Sequence, residues 1–446
     1  MESFDQFSLE GRVPRTDVLI VGGGIGGLSV ARVLRERFAN LGITLLDKNS
    51  GLGRETSHSD HNTNIAHTGC FYPPGTTKAL TATEGFRWLR DYHDEKGLNR
   101  RDVGKVVAGS VEGDEVLLGK YKLNAIANGQ NPDRVKMMRG DELRGEVEPL
   151  LSEKVTQGLY LQDAFMFDAN GVMQAMEQDL VDAGVDIKTG HEVLDIEAVS
   201  EGWLVTTNEG QFIAKHVVNT AGTHVDKIAR TVGGARDWKI IPVQGSYLEL
   251  DEVAGVGPAI YEPTRKPPFL GVHIMPGEND KPFMGPDVFA SLARDHYDIN
   301  PDERPLFKQG IESLEALVGF ATRKYPHIFP NADFFLGMLG SKEGRAEVVK
   351  HFSKTVFAKD VQRLIDPNKL FIDPDKLRFK KAGIRAQALS LVDGSIMQDM
   401  FKEPAKNPHN ADSLFITDGM PGSPGFTASV GKARWLVREL AERIAA

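Results

Sequence analysis

The stretch from residue 17 to residue 27 reads DVLIVGGGIGG, and the rest of the chain is interpreted outward from it. Its first half is a short apolar run rich in β-branched side chains, which is typical of a buried strand. Gly22, Gly24 and Gly27 follow at once and fit the pattern G-x-G-x-x-G. Residues 28–37 then have the apolar spacing of a helix. The stretch therefore predicts a strand, a glycine loop and a helix.

Each glycine of this loop has a physical role in binding a dinucleotide. Gly22 allows the tight turn, and Gly24 lets a pyrophosphate approach the backbone at the start of the helix. The positive end of the helix dipole favours that negative charge. Gly27 lets the helix pack closely against the strand. A βαβ turn with no ligand can carry the same glycines, so the loop needs support from the segment that follows it.

That segment predicts a second strand at Ile43–Leu46, followed by Asp47 and Lys48, about 20 residues after the last glycine. An acid at the end of the second strand accepts hydrogen bonds from a ribose diol. Because strand, loop, helix, second strand and acid occur in this order, we predict a dinucleotide-binding site.

The far end of the chain indicates which dinucleotide binds. Residues 413–417 are predicted to form a strand, 418–425 a glycine-rich loop and 426–446 a long amphipathic helix. Such a loop places backbone N–H groups and a helix N-terminus against a negative charge. A reduced flavin carries negative charge near N1 and O2, so this loop favours FAD over NAD. An ordinary capped helix is the alternative interpretation.

A third segment, residues 215–222, predicts a strand that runs into a turn of small residues. Small residues would let the chain pass close to a flat cofactor. The residues predicted to bind FAD, without a covalent bond, are Gly22, Gly24, Ile25, Gly27, Asp47, Lys48, Ala221, Gly222, Gly419, Gly422, Pro424, Gly425, Phe426 and Thr427.

Composition limits the possible functions of the chain, which has 446 residues and a net charge of −9. A mildly acidic chain lacks the basic surface of a nucleic-acid binder, so no nucleic-acid partner is expected. The single cysteine, Cys70, excludes an intrachain disulfide and favours a reducing compartment. No run of about 18 apolar residues predicts a membrane-spanning helix. Residues 1–16 resemble neither a signal peptide nor a transit peptide.

We therefore expect a cytoplasmic protein, with peripheral contact to the inner face of a membrane left open. The charge-rich stretch 341–362 is the candidate for such contact, although a solvated helical face explains the same pattern.

The nucleotide-binding segments are separated in sequence, which requires a second domain inserted between them. We predict an α/β fold in which residues 16–98, 155–235 and 380–446 form the FAD-binding domain. Residues 99–154 and 236–379 then form a substrate domain of sheet and helix. Further expected elements are helices over 78–96 and 165–184, the second opened by Asp168, a charged helical stretch over 305–362, and β structure at 243–250, 270–275, 283–286 and 383–391.

Five stretches carry a resemblance to a known family: NIAHTGCFYPPG at 64–75, FLGVH at 269–273, GP at 285–286 with ARDHY at 293–297, GIRAQA at 383–388 and PGSPGFTA at 421–428. With the order of the segments, they resemble the glutathione-reductase-type FAD fold of the D-amino-acid oxidase superfamily. Within it, nearly the whole chain resembles the L-2-hydroxyglutarate dehydrogenase/oxidase family. The resemblance implies FAD-dependent oxidation of an L-2-hydroxy acid to a 2-oxo acid, by hydride transfer from C2 to flavin N5.

The chain departs from the family pattern in ways that concern the substrate. The family's RGEY strand is QGSY at 244–247 here, so an arginine and an acid are missing. Its GPNA segment is GPDV at 285–288. Glutamine cannot replace arginine at a bidentate carboxylate site. If the missing arginine contacts a substrate carboxylate, the substrate of this protein lacks that carboxylate or binds it differently.

Oxidation of a 2-hydroxy acid needs a hydride acceptor, a base for the hydroxyl proton and a cation for the carboxylate. His67 and His273 are the candidates for the base, because histidine is the natural base at neutral pH and both lie in the resemblance stretches. Either could instead be a structural histidine. Arg385 is predicted to bind the carboxylate, unless it pairs with a buried acid. Further candidates for the site are Tyr72, Lys78 and Tyr247.

Several alternatives stay open at the level of the sequence. His58, Asp60, His61 and His67 do not match the spacing of a standard metal site, so no metal is predicted. Cys70 could tether a flavin but fits better as a small residue. Oxidation of an amino acid or amine on the same fold, or flavin binding without turnover, are the alternative functions. The electron acceptor would be oxygen, a quinone or an electron-transfer protein.

Overall fold

A computed structural model describes residues 13–53, 59, 61–252, 254–265, 271–287, 289–290, 294, 341–351, 353–419, 422 and 424–445. Parts of the predicted segments lie outside these residues. They include His58 and Asp60 of the rejected metal cluster, positions 269–270, 293 and 295–297 of the resemblance stretches, positions 421 and 423 of the C-terminal loop, and residues 305–340 of the charged helical stretch.

The described residues form strands and helices that alternate along the chain. The strands are β1 Arg15–Val21, β2 Ile43–Leu46, β3 Arg100–Arg101, β4 Lys105–Gly109, β5 Val135–Arg139, β6 Gln157–Leu161, β7 Met166–Phe167, β8 Asp186–Lys188, β9 Val193–Val199, β10 Gly202–Thr207, β11 Gly210–Asn219, β12 Trp238–Leu250, β13 Ala259–Tyr261, β14 His273–Met275, β15 Phe283–Gly285, β16 Phe289–Ala290, β17 Leu377–Ser390, β18 Lys402–Lys406 and β19 Leu414–Asp418. The helices are α1 Ile25–Arg37, α2 Thr77–Lys96, α3 Asp114–Ala127, α4 Gly140–Glu146, α5 Ala169–Asp182, α6 Val225–Thr231, α7 Lys342–His351, α8 Lys354–Val361, α9 Ser429–Leu436 and α10 Arg438–Ala445.

The first sheet brings the predicted nucleotide-binding segments together. Its strand order is β18-β19-β11-β1-β2-β8, with β10 and β9 continuing antiparallel from β11. β1 is parallel to both β2 and β11, and β11 is parallel to β19. The carboxyl ends of these four strands therefore lie at one edge, which is where ligands bind in open α/β sheets. The α/β fold expected from the sequence is confirmed.

The second sheet stands beside the first and is built around the long β12. Its order is β16-β12-β15-β14-β13-β4-β6-β5, and β17 pairs antiparallel with β12 along their length. β6 and β17 hydrogen-bond in this second sheet, although the predicted boundaries give 155–161 and 380–390 to the FAD-binding domain. The domain boundaries themselves stay a prediction.

Two helix predictions differ from the structure. The single helix expected over 165–184 is replaced by β7 followed by α5, because the Asp168 carboxylate accepts the Gly171 N–H at 2.8 Å and caps a helix that begins only at Ala169. The C-terminal helix expected over 426–446 consists of turns followed by α9 and α10, separated at Val437, where ψ is 10°.

The charged stretch at 341–362 forms α7 and α8. Phe357, Ala358 and Val361 of α8 are buried in the core under the second sheet, and the other face of the helix is more exposed. This arrangement is that of an amphipathic helix packed on its own protein. In the described part of the chain, no helix has both the length and the apolar character needed to cross a bilayer.

Glycines allow α2 to pack in close contact with α9 and with the loop that precedes α9. A Cβ atom added to Gly85 of α2 would lie 1.8 Å from the carbonyl oxygen of Thr427, in the C-terminal loop. A Cβ atom on Gly431 of α9 would lie 2.6 Å from the carbonyl oxygen of Thr81. Backbone atoms cannot move as a flexible side chain can, so these contacts fix the C-terminal loop against α2.

Gly85→Ala should therefore destabilise the protein although alanine is the better helix former. We expect a loss of about 1–3 kcal/mol from overpacking. Gly119→Ala is the matched control, because Gly119 also lies inside a helix and an added Cβ would meet nothing within 4 Å. The control should gain about 0.5–1 kcal/mol. Denaturant unfolding of both variants measures the difference, and equal effects would contradict the close contact.

Candidate active site

A cavity of about 630 Å³ opens at the carboxyl edge of the first sheet and reaches the second sheet. It is lined by the ends of β1, β2 and β11, the start of α1, and residues of β12, β14 and β17. Predicted site residues in its wall are Gly22, Gly24, Ile25, Asp47, Lys48, His67, Ala221, Gly222, Tyr247, His273, Arg385, Pro424, Gly425, Phe426 and Thr427. Segments that are far apart in sequence thus share one space.

The glycine loop at the end of β1 is a backbone cradle. Gly22 has a φ of +98°, and a Cβ atom there would lie 2.7 Å from the Thr220 carbonyl oxygen. A Cβ atom on Gly27 would lie 1.9 Å from the Gly22 carbonyl oxygen, so only glycine lets α1 approach β1 this closely. Gly27 itself is absent from the cavity wall. The first turn of α1 carries no acidic side chain. These features fit a pyrophosphate at the helix N-terminus.

Asp47 lies beside this cradle and is 7% exposed. One carboxylate oxygen accepts the Gly23 N–H at 2.6 Å, and the other accepts the Asn49 N–H at 2.8 Å. The side chain therefore holds the glycine loop in place as well as facing the cavity. The sequence indicated the ribose role of this acid but not its contact with the loop.

The C-terminal loop closes another side of the cavity. The Thr427 hydroxyl accepts the backbone N–H of His67 at 3.2 Å, which joins two segments 360 residues apart. Like Gly27, two glycines of this loop that were predicted to bind the cofactor lie outside the cavity wall. A Cβ atom on Gly419 would lie 2.1 Å from the Phe401 ring, and one on Gly422 would lie 2.6 Å from the Ala386 carbonyl oxygen. Both instead allow close packing behind the loop.

His67 and His273 face the same cavity, and the Nδ1 atom of each is buried without a hydrogen-bond partner among the described residues. Burial, with a smaller contribution from Lys105, holds the pKa of His67 well below its ordinary value. Burial lowers the pKa of His273 to about 3. Both imidazoles are therefore neutral at neutral pH and can accept a proton.

Arg385 enters the cavity from β17. No carboxylate of the described residues forms an ion pair with it, and its Nε is buried without a hydrogen-bond partner. The alternative of a buried Arg385–acid pair is thus absent from the described structure. Burial lowers the pKa of Arg385, and the nearby Tyr247 and Tyr72 oppose that shift. An arginine in this setting can bind an anionic ligand.

Tyr72 and Lys78 lie behind the cavity wall. The Tyr72 ring centroid is 6.3 Å from that of His67, and the Lys78 Nζ is 5.9 Å from the Tyr72 ring. Burial lowers the pKa of Lys78 to about 8, with a further contribution from Arg385. Neither residue is in the cavity wall. The structure therefore places them around the predicted site.

Gln244 and Asp287, two of the departures from the family pattern, both reach the cavity wall. Gln244 lies on β12, and its Nε2 is buried without a hydrogen-bond partner in the described structure. The Asp287 carboxylate accepts the Ser246 N–H at 2.6 Å and lies 2.7 Å from His351 Nδ1. The part of the cavity near Gln244 thus contains a carboxylate.

Lys105 and Tyr261 were missed by the sequence analysis. Tyr261 lines the cavity, and its ring centroid is 3.9 Å from that of His273. Lys105 is fully buried behind Tyr261, with Nζ 4.5 Å from that ring. The sequence feature that could have indicated a buried Lys105 is its position at the start of the otherwise apolar strand KVVAG. A single lysine beside a strand is normally read as solvated, because lysine is rarely buried.

Cys70 is buried among apolar residues outside the cavity wall, and burial raises the pKa of its thiol. This position gives no contact for a covalent flavin bond. His61 lines the cavity. Within the described ranges, no group of three or more histidine, cysteine, aspartate or glutamate side chains is arranged to hold a metal ion.

Curated proteins similar to this chain share one name. This chain is 28% identical to "L-2-hydroxyglutarate dehydrogenase, mitochondrial" of Nematostella vectensis, over 96% of this chain and 91% of that protein. It is 26% identical to the human protein of the same name, over 96% and 89%. It is also 26% identical to L-2-hydroxyglutarate dehydrogenase of Indibacter alkaliphilus, over 90% and 96%.

Solved structures with a similar fold act on different substrates, according to their titles. L-alpha-glycerophosphate oxidase from Mycoplasma pneumoniae, with FAD bound, superposes with a TM-score of 0.71 at 21% identity, covering 96% of this chain and 95% of that one. Glycine oxidase from Geobacillus kaustophilus gives 0.66 at 15% identity, covering 97% and 95%. These likenesses establish the fold, as predicted from the sequence.

The family assignment rests on nearly the whole chain. Residues 17–439 match the family described as "FAD dependent oxidoreductase". The match spans the glycine loop, both sheets and the C-terminal loop, which are the parts that meet at the cavity. The chain therefore belongs to the DAO family of FAD-dependent oxidoreductases, as its sequence motifs predicted.

Proposed function

We propose that this protein uses FAD to oxidise an L-2-hydroxy acid to the 2-oxo acid, and that L-2-hydroxyglutarate is the first substrate to test. The observation that carries the proposal is the convergence of His67, His273 and Arg385 in the cavity that also contains the nucleotide cradle. The names of the curated relatives support this choice of substrate.

Arg385 binds the carboxylate next to the reacting carbon. Its guanidinium has no acidic partner in the described structure, and bidentate binding of a planar carboxylate suits its geometry. This contact orients the substrate and limits its rotation in the cavity, which is a large part of the catalytic advantage of a bound reactant.

One of the two histidines removes the hydroxyl proton. Because burial keeps both imidazoles neutral, each can accept that proton at its Nδ1 or Nε2 atom. When bound, FAD supplies the acceptor for the hydride that leaves C2. The hydroxyl oxygen becomes the carbonyl oxygen of the 2-oxo acid, so one hydride and one proton leave the substrate together.

The cradle and the position of Cys70 support FAD bound without a covalent link. Oxygen, a quinone or an electron-transfer protein would then reoxidise the flavin. We propose a cytoplasmic setting, which the single cysteine supports, although the relatives from animals are named mitochondrial. Cell fractionation with an antibody to the protein decides between these compartments.

Oxidation of an amino acid is the second candidate, and the fold of glycine oxidase favours it. Arg385 could bind the carboxylate of either substrate. Anaerobic flavin reduction by hydroxy acids, compared with the corresponding amino acids, separates the two reactions. If neither class reduces the flavin, a flavin-binding protein without turnover becomes the better description.

The first prediction concerns the cofactor. Purified protein should be yellow and should release FAD on heat or acid denaturation, and Asp47→Ala should weaken FAD binding by about 1.5–3 kcal/mol. Two contacts contribute to this loss of FAD affinity: the proposed hydrogen bonds to the ribose, and the hydrogen bond by which the carboxylate holds the Gly23 N–H. Asp186→Ala is the control, because it removes an exposed acid from the same sheet. An unchanged FAD dissociation constant in Asp47→Ala would exclude the predicted role.

The second prediction distinguishes the histidine that acts as the base from Arg385, which binds the substrate carboxylate. The measurement is anaerobic stopped-flow reduction of the flavin. The histidine that is the base should lose roughly 10²–10⁴-fold in kcat when changed to Asn, with little change in KM. Arg385→Ala should raise KM and lose roughly 10–200-fold in kcat/KM. His409→Asn is the control, because His409 is an exposed histidine.

The pH profile of the same variants identifies the base. A lowered pKa means that the wild-type base stays unprotonated as the pH falls below 6.5, so kcat/KM should keep its plateau until the pH approaches the lowered value. The acidic limb should vanish in the variant that lacks the base. Near wild-type rates and an intact limb in both His67→Asn and His273→Asn would refute the assignment.

The third prediction concerns the far end of the substrate. Gln244→Arg adds a cation to the cavity wall, where Asp287 now contributes a carboxylate. The variant should therefore raise kcat/KM for dicarboxylic hydroxy acids relative to monocarboxylic ones. Gln211→Arg adds the same charge on an exposed part of β11 and should leave the ratio unchanged. An unchanged ratio in both variants would mean that Gln244 does not contact the second carboxylate.

A further inference from the structure

Lys105 is a buried lysine with no role in the reaction as proposed above. It is the first residue of β4, its side chain is 0% exposed, and Nζ has no hydrogen-bond partner in the described structure. Nζ lies instead 4.5 Å from the Tyr261 ring centroid and 5.6 Å from that of Phe71. The two aromatic rings provide the contacts that stabilise its charge.

Stability does not explain this lysine. An ammonium group without an acidic partner is costly to bury, and an apolar side chain of similar length would pack at less cost. Cys70 is the group that raises the pKa of Lys105, but burial raises the pKa of the Cys70 thiol itself, so the thiol is uncharged at neutral pH. The described structure therefore gives Lys105 no counter-ion.

Lys105 contacts Tyr261, and Tyr261 in turn lines the cavity. The Tyr261 ring contacts both His273 and Lys105: its centroid lies 3.9 Å from that of the His273 imidazole, with the planes inclined by 30°, and 4.5 Å from Lys105 Nζ. Tyr261, His67 and His273 all line the cavity, whereas Lys105 does not. Lys105 therefore acts through its neighbours and cannot touch the substrate directly.

Charged neighbours lower the pKa of both histidines. Lys105 contributes to the lowered pKa of His67 and of His273, after burial in each case. The other charged group that lowers the pKa of His67 is His273, and the other one that lowers the pKa of His273 is Lys350. Burial lowers the pKa of Lys105, whereas the Tyr261 and Phe71 rings beside Nζ favour the charged form of its amine.

We propose that Lys105 is a positioning residue for the reaction proposed above: it places a positive charge one layer behind the cavity wall, where that charge opposes a second positive charge on His67 or His273. The base consequently stays free to accept the hydroxyl proton. The same charge favours an anionic substrate in the cavity over a neutral one.

The test compares Lys105→Met with Lys105→Arg in the FAD-loaded protein. Lys105→Met removes the charge at nearly constant length, so its acidic limb of kcat/KM should move upward by roughly one pH unit, the order expected when one nearby, partly screened charge is lost. Its midpoint of thermal unfolding should be equal to or higher than that of the wild type. Lys105→Arg keeps the charge and should keep the limb near its wild-type position.

Several results would overturn the proposal. They are an unmoved limb in Lys105→Met, equal shifts in the Met and Arg variants, or a wild-type limb at the ordinary histidine pKa of about 6.5. The last of these needs no variant, so it remains decisive even if a substitution prevents folding.

A second readout separates this proposal from the proposed function. Proton NMR titration of the imidazoles in the FAD-loaded protein, assigned with His67→Asn and His273→Asn, needs no substrate. Raised histidine pKa values in Lys105→Met, without oxidation of any hydroxy acid, would support Lys105 and reject the reaction. Oxidation with unchanged histidine pKa values would do the reverse.

Discussion

The parallel pairing of β1 with β2 on one side and β11 on the other is the constraint on which the site depends. Two backbone hydrogen bonds fix the ends of these strands: the Gly22 N–H donates to Leu46 at 2.8 Å, and the Thr220 N–H donates to Val21 at 2.9 Å. They place the glycine loop between the acid that follows β2 and the small-residue turn that follows β11. The cradle exists only while this register is kept.

Features that depend on neighbouring residues were predictable from the sequence. The turn at Gly22 and the close approach at Gly27 follow from residues within one short stretch, and the relatives and similar folds agree with the family indicated by the motifs. The predicted helix over 165–184 began too early, because the cap at Asp168 outweighed the apolar residues before it. The residues within each segment therefore predict the strand or helix that it forms, but they do not fix the residue at which the element begins or ends.

Features that depend on distant pairing were not predictable in the same way. Gly419 has the composition of a cofactor loop, but only the position of Phe401 reveals that it packs elsewhere. The burial of Lys105 follows from the parallel pairing of β4 with β13, which no short sequence pattern encodes. Arg385 and Gln244 are near one another because β12 and β17 pair with Val243 opposite Arg385 and Gln244 opposite Ile384.

The hydrogen bond from the His67 backbone to Thr427 has a consequence for the order in which the protein is made. A ribosome completes the glycine loop early, but the wall that contains Thr427 emerges only after both sheets have been synthesised. Until then a nascent chain has a phosphate cradle without its closing loop. With the flavin held in this cavity as proposed, its capture would have to wait until the last part of the wall has been synthesised.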